Sequence, residues 1–211
     1  KTYLEPLGSQ SGIAGNGSRY YLDYQSLAEE QEAAEELAIL IASEGDVLLK
    51  NDNVLPFGKN IKRISLFGVG SYNLVHSGGG SGAGKTGENG IPFKNLETSL
   101  EAAGLKINPT LMTMYSDNAA DSELPVTVYN NTVTSTYKSY NDAAIITISR
   151  VGSEDADLSS HDLAGHSNPN DHALMLSDNE KDLIKHVKSY FGKVIVLLNS
   201  SNVMQIPELA E

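Results

Sequence analysis

The chain has 211 residues, 40% of them hydrophobic, and a formal net charge of -12. That is enough apolar material for one sizeable core, and the charge argues against duplex nucleic acid or an anionic membrane as partner. It has no cysteine, which excludes disulfides, thiolate metal sites and cysteine nucleophiles. No run approaches the ~18 apolar residues of a membrane-spanning helix, and no signal peptide follows Lys1.

Residues 1–25 are rich in Gly, Ser and Tyr and read as an extended lead-in. Ser26 is placed to cap a helix over 27–42, with Glu29 and Glu30 at its positive end and Gly45 as its stop. Val47–Asn51 predicts a short strand and Asn53–Pro56 a turn. Ile61–Val69 reads as a buried strand, followed by a long Gly/Ser loop over Gly70–Gly90. Leu96–Ala103 predicts a helix closed by Gly104, Leu105–Ile107 a strand, and Pro109–Tyr115 a further helix. Within the polar region 116–142, Val126–Tyr129 is β-rich and a short helix is expected near Ser135–Tyr140. Ala143–Ser149 is a buried strand and 150–176 a polar loop. Ser177 and Glu180 form a capping box for a helix over Asp178–Tyr190, which Gly192 ends before the strand Lys193–Asn199.

Strands that are apolar throughout and alternate with helices predict an α/β fold. The expectation is a mostly parallel sheet with helices on both faces, an αβα sandwich over 26–211 that is incomplete at its C-terminus.

Residues Gly79–Thr86 match the phosphate-binding pattern G-x-x-x-x-G-K-[ST]. A phosphate loop needs a strand running straight into the glycines and a helix starting at the Lys-Thr. Here the strand stops about ten residues too early, and Lys85-Thr86 is followed by the helix-poor Gly87-Glu88-Asn89-Gly90-Ile91-Pro92. An apolar strand ending in Asp, the usual magnesium-side partner, is also missing. A nucleotide-binding module through Gly79–Thr86 therefore stands as the alternative reading, beside a non-catalytic interaction domain.

In open α/β sheets, sites gather beyond the carboxyl ends of the strands. Two loops qualify: the glycine loop after Val69 and the loop that runs from Arg150 to Asp162. The latter is His/Asp-rich further on, with His161, His166, His172, Asp162 and Asp171. Those spacings fit no common metal-ligand motif, so a solvated loop is expected and no metal or other cofactor. No G-x-S-x-G elbow occurs, so a serine hydrolase is not supported.

Several segments in order resemble the α/β sandwich domain of glycoside hydrolase family 3, the β-glucosidase and β-xylosidase group. Glu44-Gly45-Asp46-Val47-Leu48-Leu49-Lys50-Asn51 with Val54-Leu55-Pro56 is similar to the domain's entry segment. Leu66-Phe67-Gly68 and Gly78–Gly82 resemble its first strand and glycine loop. Arg150–Asp157 resembles its "R-x-SGEG-x-D" loop, with Asp155 where Gly is usual and Leu158 where Arg is common. Leu176–Glu180 and Val194–Asn202 resemble its "L-S-x-NE" helix start and "VLLN" strand.

The resemblance implies part of a retaining β-glycosidase acting on terminal β-linked sugars, with a β-glucoside or oligosaccharide as substrate. In that family one carboxylate attacks the anomeric carbon and another serves as acid and base. By resemblance Glu154 is the acid/base, and the nucleophilic Asp lies on a (β/α)8 barrel that must come from another chain or segment. Gly79, Gly80, Ser81, Arg150, Asp157 and His161 are the expected substrate-side residues. A general acid must stay protonated near neutral pH, so the pKa of Glu154 is expected to be raised by the barrel wall or by Asp155 or Asp157. A homo-oligomer, and a secreted or cell-surface rather than cytoplasmic setting, complete the expectation.

Overall fold

The computed structural model describes residues 26–81, 94–118, 120–161 and 163–210. The lead-in over 1–25, and the end of the glycine loop with Lys85-Thr86, lie outside them. The chain divides into two compact units, Lys1–Leu49 and Lys50–Glu211. Of the first, α1 (Leu27–Gly45) is described: the Ser26 hydroxyl accepts the Glu29 amide, and Glu29 and Glu30 occupy the first turn. The strand expected at Val47–Asn51 does not form. Its residues are exposed and no described strand pairs with them, so β-rich composition has no ladder to join.

The second unit holds β1 (Arg63–Phe67), α2 (Val69–Tyr72), α3 (Leu96–Ala102), β2 (Lys106–Ile107), α4 (Pro109–Asp117), α5 (Asn131–Tyr137), β3 (Ala143–Arg150), α6 (Asp178–Tyr190) and β4 (Val194–Ser200). The four strands form one sheet in the order β2-β1-β3-β4, and every pair is parallel. Parallel neighbours need crossovers, and these are almost always right-handed. The crossover carrying α3 moves one way along the sheet and those carrying α4, α5 and α6 the other. Right-handedness therefore sets the two groups on opposite faces, the αβα sandwich expected from the sequence.

The caps follow local chemistry. Asn95, Asn108 and Asn130 each accept an amide of the helix they precede, and α6 has the full capping box of Ser177 and Glu180. Val126–Val128 is a 3₁₀ turn rather than a strand. Pro125 heads it and the Val128 amide returns to the Pro125 carbonyl, so the backbone closes locally despite the β-branched residues. The core centres on β1 and β3, where Ile64, Leu66, Phe67, Ala143, Ala144 and Ile146 are fully buried. Phe67 meets Tyr137 and Phe191 edge-on, both with ring centroids 5.4 Å away. That knot fixes the end of β1, from which the candidate site is built.

Candidate functional site

Strand order reverses between β1 and β3, so the carboxyl ends of these two neighbours flank the sheet's switch point. The glycine loop leaves from one and the Glu154 loop from the other. Buried and half-buried polar residues beside the ends tie them together. The Ser71 hydroxyl donates to the Phe67 carbonyl at 2.6 Å and pairs with the Thr147 hydroxyl of β3, which then supplies the proton, at 2.7 Å. From β4, Asn199 takes the Val75 amide at 3.0 Å and returns its own N–H to the Val75 carbonyl at 3.2 Å, while Ser149 donates to it at 3.0 Å. The glycine loop is thus held to the sheet halfway along its described length.

Beyond Val75 the two loops knit together. The Gly79 amide donates to the Gly152 carbonyl at 3.0 Å, and the Glu154 amide to the Gly79 carbonyl at 3.3 Å. Gly79 and Ser153 form a parallel bridge. Glycine is required for this approach: a Cβ on Gly79 would stand 2.6 Å from the Ser153 hydroxyl, and one on Gly80 2.5 Å from the Glu154 Cβ. Gly80 also has a φ of +92°, a conformation that L side chains rarely adopt. What presses on these glycines in this chain is the loop bearing Glu154.

The Glu154 carboxylate is anchored through one oxygen. Oε2 accepts the Ser81 amide at 2.9 Å and the Ser81 hydroxyl as well. These bonds, the hydroxyl's first, hold its pKa below the ordinary carboxylate range. The sequence-based expectation was the opposite, because a general acid has to hold its proton. The reason is plain in the geometry: Glu154 is exposed and carries hydrogen bonds that favour the charged form, with no apolar wall against it among the described residues. Next to it Asp155 has a φ of 59°. The left-handed turn is kept where the family pattern has Gly, at a cost of roughly 1 kcal/mol for an L residue.

Of the residues expected at the site, the structure brings Gly79, Gly80, Ser81 and Glu154 into one knot. Asp157 and His161 are exposed further along the same loop. Arg150 is turned inward. Its Nε–H donates to the Ala173 carbonyl, one terminal nitrogen to the Ser149 carbonyl and Glu180 Oε1, the other to the Met175 carbonyl and Glu180 Oε2. All five guanidinium N–H groups thus have acceptors within the chain. The 150–176 loop is exposed over 153–157 and 159–161, as its composition predicts, but its second half is tied down. His166 and Asp171 are buried side by side, 3.2 Å apart, Asn168 donates to Asp171 at 3.0 Å, and the Gln205 amide pairs with the Leu174 carbonyl at 2.8 Å. Among the described residues no group of three or more His, Asp or Glu could hold a metal ion; Asp162 lies outside them.

Three residues with a part in the site were not singled out from sequence. The sequence marks Asn199 and Glu180 only as a strand end and a cap. Glu123 sits in a polar stretch with no pattern at all, yet its Oε2 accepts the Val69 amide at 3.0 Å and its Oε1 the Leu124 amide at 3.0 Å. Burial, against the pull of those two amides, pushes its pKa up to about 7. No sequence signal marks it, because the contact is made across the fold by a loop residue.

Residues 46–211 match the glycosyl hydrolase family 3 C-terminal domain. The chain is 32% identical over 194 residues to beta-glucosidase A of Butyrivibrio fibrisolvens, covering 80% of this chain and 23% of that protein. It is 28% identical over 187 residues to a beta-glucosidase of Ruminococcus albus, covering 81% of this chain and 18% of that one. It therefore spans about a fifth to a quarter of these relatives' lengths. Among solved structures, beta-glucosidase 3B from Thermotoga neapolitana in complex with glucose superposes with a TM-score of 0.62 at 30% identity, over 80% of this chain and 24% of that one. A beta-glucosidase from Paenibacillus barengoltzii, at 24% identity and a TM-score of 0.63 over 81% of this chain and 19% of that one, shares the fold.

Proposed function

The chain belongs to the glycosyl hydrolase family 3 C-terminal domain, and from that membership we propose that it is the sandwich part of a retaining β-glucosidase-like enzyme, with Glu154 as general acid and base. A (β/α)8 barrel, on another chain or segment, supplies the nucleophilic carboxylate. In the first step that carboxylate bonds to the anomeric carbon while Glu154 gives its proton to the departing glycosidic oxygen, which leaves as an alcohol. In the second, Glu154 takes a proton from the water whose oxygen displaces the nucleophile. The substrate is a terminal β-linked glucoside or oligosaccharide. Gly79, Gly80 and Ser81 shape its mouth, Asp157 and His161 lie within reach of it, and Arg150 holds the loop that presents them.

The observation that carries this reading is the exposed carboxylate of Glu154, fixed by the glycine loop at the sheet's switch point. The upward pKa shift that an acid needs then comes from the barrel wall, which must exclude water strongly enough to outweigh the Ser81 hydrogen bonds. In the assembled enzyme, Glu154→Gln is expected to slow hydrolysis of alkyl β-glucosides by about 10²–10⁴-fold, the usual worth of general acid–base catalysis. Azide should restore activity on an activated aryl glucoside in Glu154→Gly. Wild-type rates in Glu154→Gln would remove Glu154 from the chemistry.

A further inference from the structure

We infer that Ser81 is a positioning residue for Glu154: its amide and its hydroxyl both bind Oε2, which commits that oxygen to the protein and leaves Oε1 as the one that exchanges the proton with the glycosidic oxygen and with water. The inference rests on the acid/base reading of Glu154 and assigns Ser81 a place in that reaction distinct from contact with sugar.

Three features make this more than a passing surface contact. Both donors come from one residue and converge on one oxygen. A carboxylate held this way cannot rotate to present Oε2 without breaking two bonds at once. The backbone path that delivers Ser81 is also fixed, because Gly80 takes its left-handed turn directly against the Glu154 Cβ. The pair of strand-like bonds between Gly79 and residues 152 and 154 sets the register of the two loops. Finally, the hydroxyl contact works in both halves of the reaction. When Glu154 has given up its proton, the two N–H and O–H dipoles steady the carboxylate that has formed, and the same carboxylate must next act as base toward water. A proton on Oε1 leaves the Oε2 contacts intact, so Ser81 holds the group in one orientation through the whole cycle.

The hydroxyl can be removed without disturbing the amide, because Ser81→Ala keeps the backbone donor and the residue is exposed. In this chain alone, carbon-13 NMR of the Glu154 carboxyl should show its titration midpoint move upward in Ser81→Ala and return toward wild type in Ser81→Thr, which keeps a hydroxyl. In the assembled enzyme, Ser81→Ala should lower kcat on alkyl β-glucosides by about tenfold, with KM little changed and a much smaller loss on dinitrophenyl glucosides. The basic limb of its kcat/KM profile should shift to higher pH. Misorientation of a reacting group by about 1 Å can cost up to ~10² in rate, so a tenfold effect is within that range. An unmoved titration midpoint, or equal losses on good and poor leaving groups with an unmoved basic limb, would overturn the positioning role. If the midpoint moves but Glu154→Gln is fully active, the contact stands and the acid/base reading is what fails.

Discussion

Glu123 shows how a single side chain can hold a fold together and make it sensitive to pH. Its carboxyl accepts the amides of Val69 and Leu124, and Asn179 of α6 donates to its backbone carbonyl at 2.8 Å. It therefore links β1's exit to the start of α6. Burial raises its pKa from 4.5 to about 7, and the Glu180 charge adds to the rise. A carboxyl whose folded pKa exceeds its unfolded one binds its proton more tightly in the native state. Its contribution is complete below pH 4.5, falls as pH climbs toward 7, and is gone above that. The span corresponds to at most about 3 kcal/mol. Urea denaturation between pH 4.5 and 8 should show the wild-type chain losing stability across this window relative to Glu123→Gln; parallel curves would mean that Glu123 titrates normally. Nothing in the sequence announces this residue. The loop that carries Glu154 is legible in the sequence, because it follows a strand and matches a motif, whereas the contact between Ser81 and Glu154 is not, since it depends on the path the backbone takes through Gly79 and Gly80.

Elements were legible where a local device sets them. Ser177 and Glu180 spell a capping box, Pro109 opens a helix and Gly104 closes one, and each was found where expected. Elements whose state depends on remote partners are not legible: Val47–Asn51 lacks a neighbouring strand among the described residues, Val126–Val128 winds into a 3₁₀ turn behind Pro125, and the second half of the 150–176 loop is held by Arg150. The last case can be tested. Arg150 and Glu180 are 2.7 Å apart with side chains only 13% and 8% exposed, and the same guanidinium holds the carbonyls of Ala173 and Met175. Lysine keeps the charge but has three donors on a round head, so Arg150→Lys must leave some of these acceptors bare. Loss of two or more such bonds should lower stability by about 2–4 kcal/mol. Amide exchange should speed up at Ala173 and Met175, whose amides bond to Ser159 and His172, more than in β1. Uniform exchange in the variant would show that the loop is ordered by something else.

At the scale of the whole molecule, the sheet bears on how the glycine-rich match should be read. A four-stranded parallel sheet with its reversal between β1 and β3 is a scaffold on which either a nucleotide or a sugar could be handled at the same edge. The difference lies in which amides are free. Phosphate binding needs amides aimed outward at the end of the first strand. Here the Gly68 amide donates to the Tyr115 hydroxyl at 2.6 Å and the Val69 amide to the Glu123 carboxylate at 3.0 Å. Further on, Gly79 gives its amide to the Gly152 carbonyl and Ser81 its amide to Glu154. The acceptors at two of these four points are carboxyl groups, and a triphosphate arriving there would meet acceptors that already hold the amides rather than free donors. In the sequence Lys85 and Thr86 come 18 and 19 residues after Phe67, the last residue of β1, too late for a loop that joins strand directly to helix. Calorimetric titration of the chain with Mg-ATP should accordingly show no saturable binding in the micromolar range, and Lys85→Ala should behave as wild type. Saturable binding that Lys85→Ala abolishes would require the amides at β1's exit to be released from Tyr115 and Glu123, and would return the glycine loop to the phosphate reading.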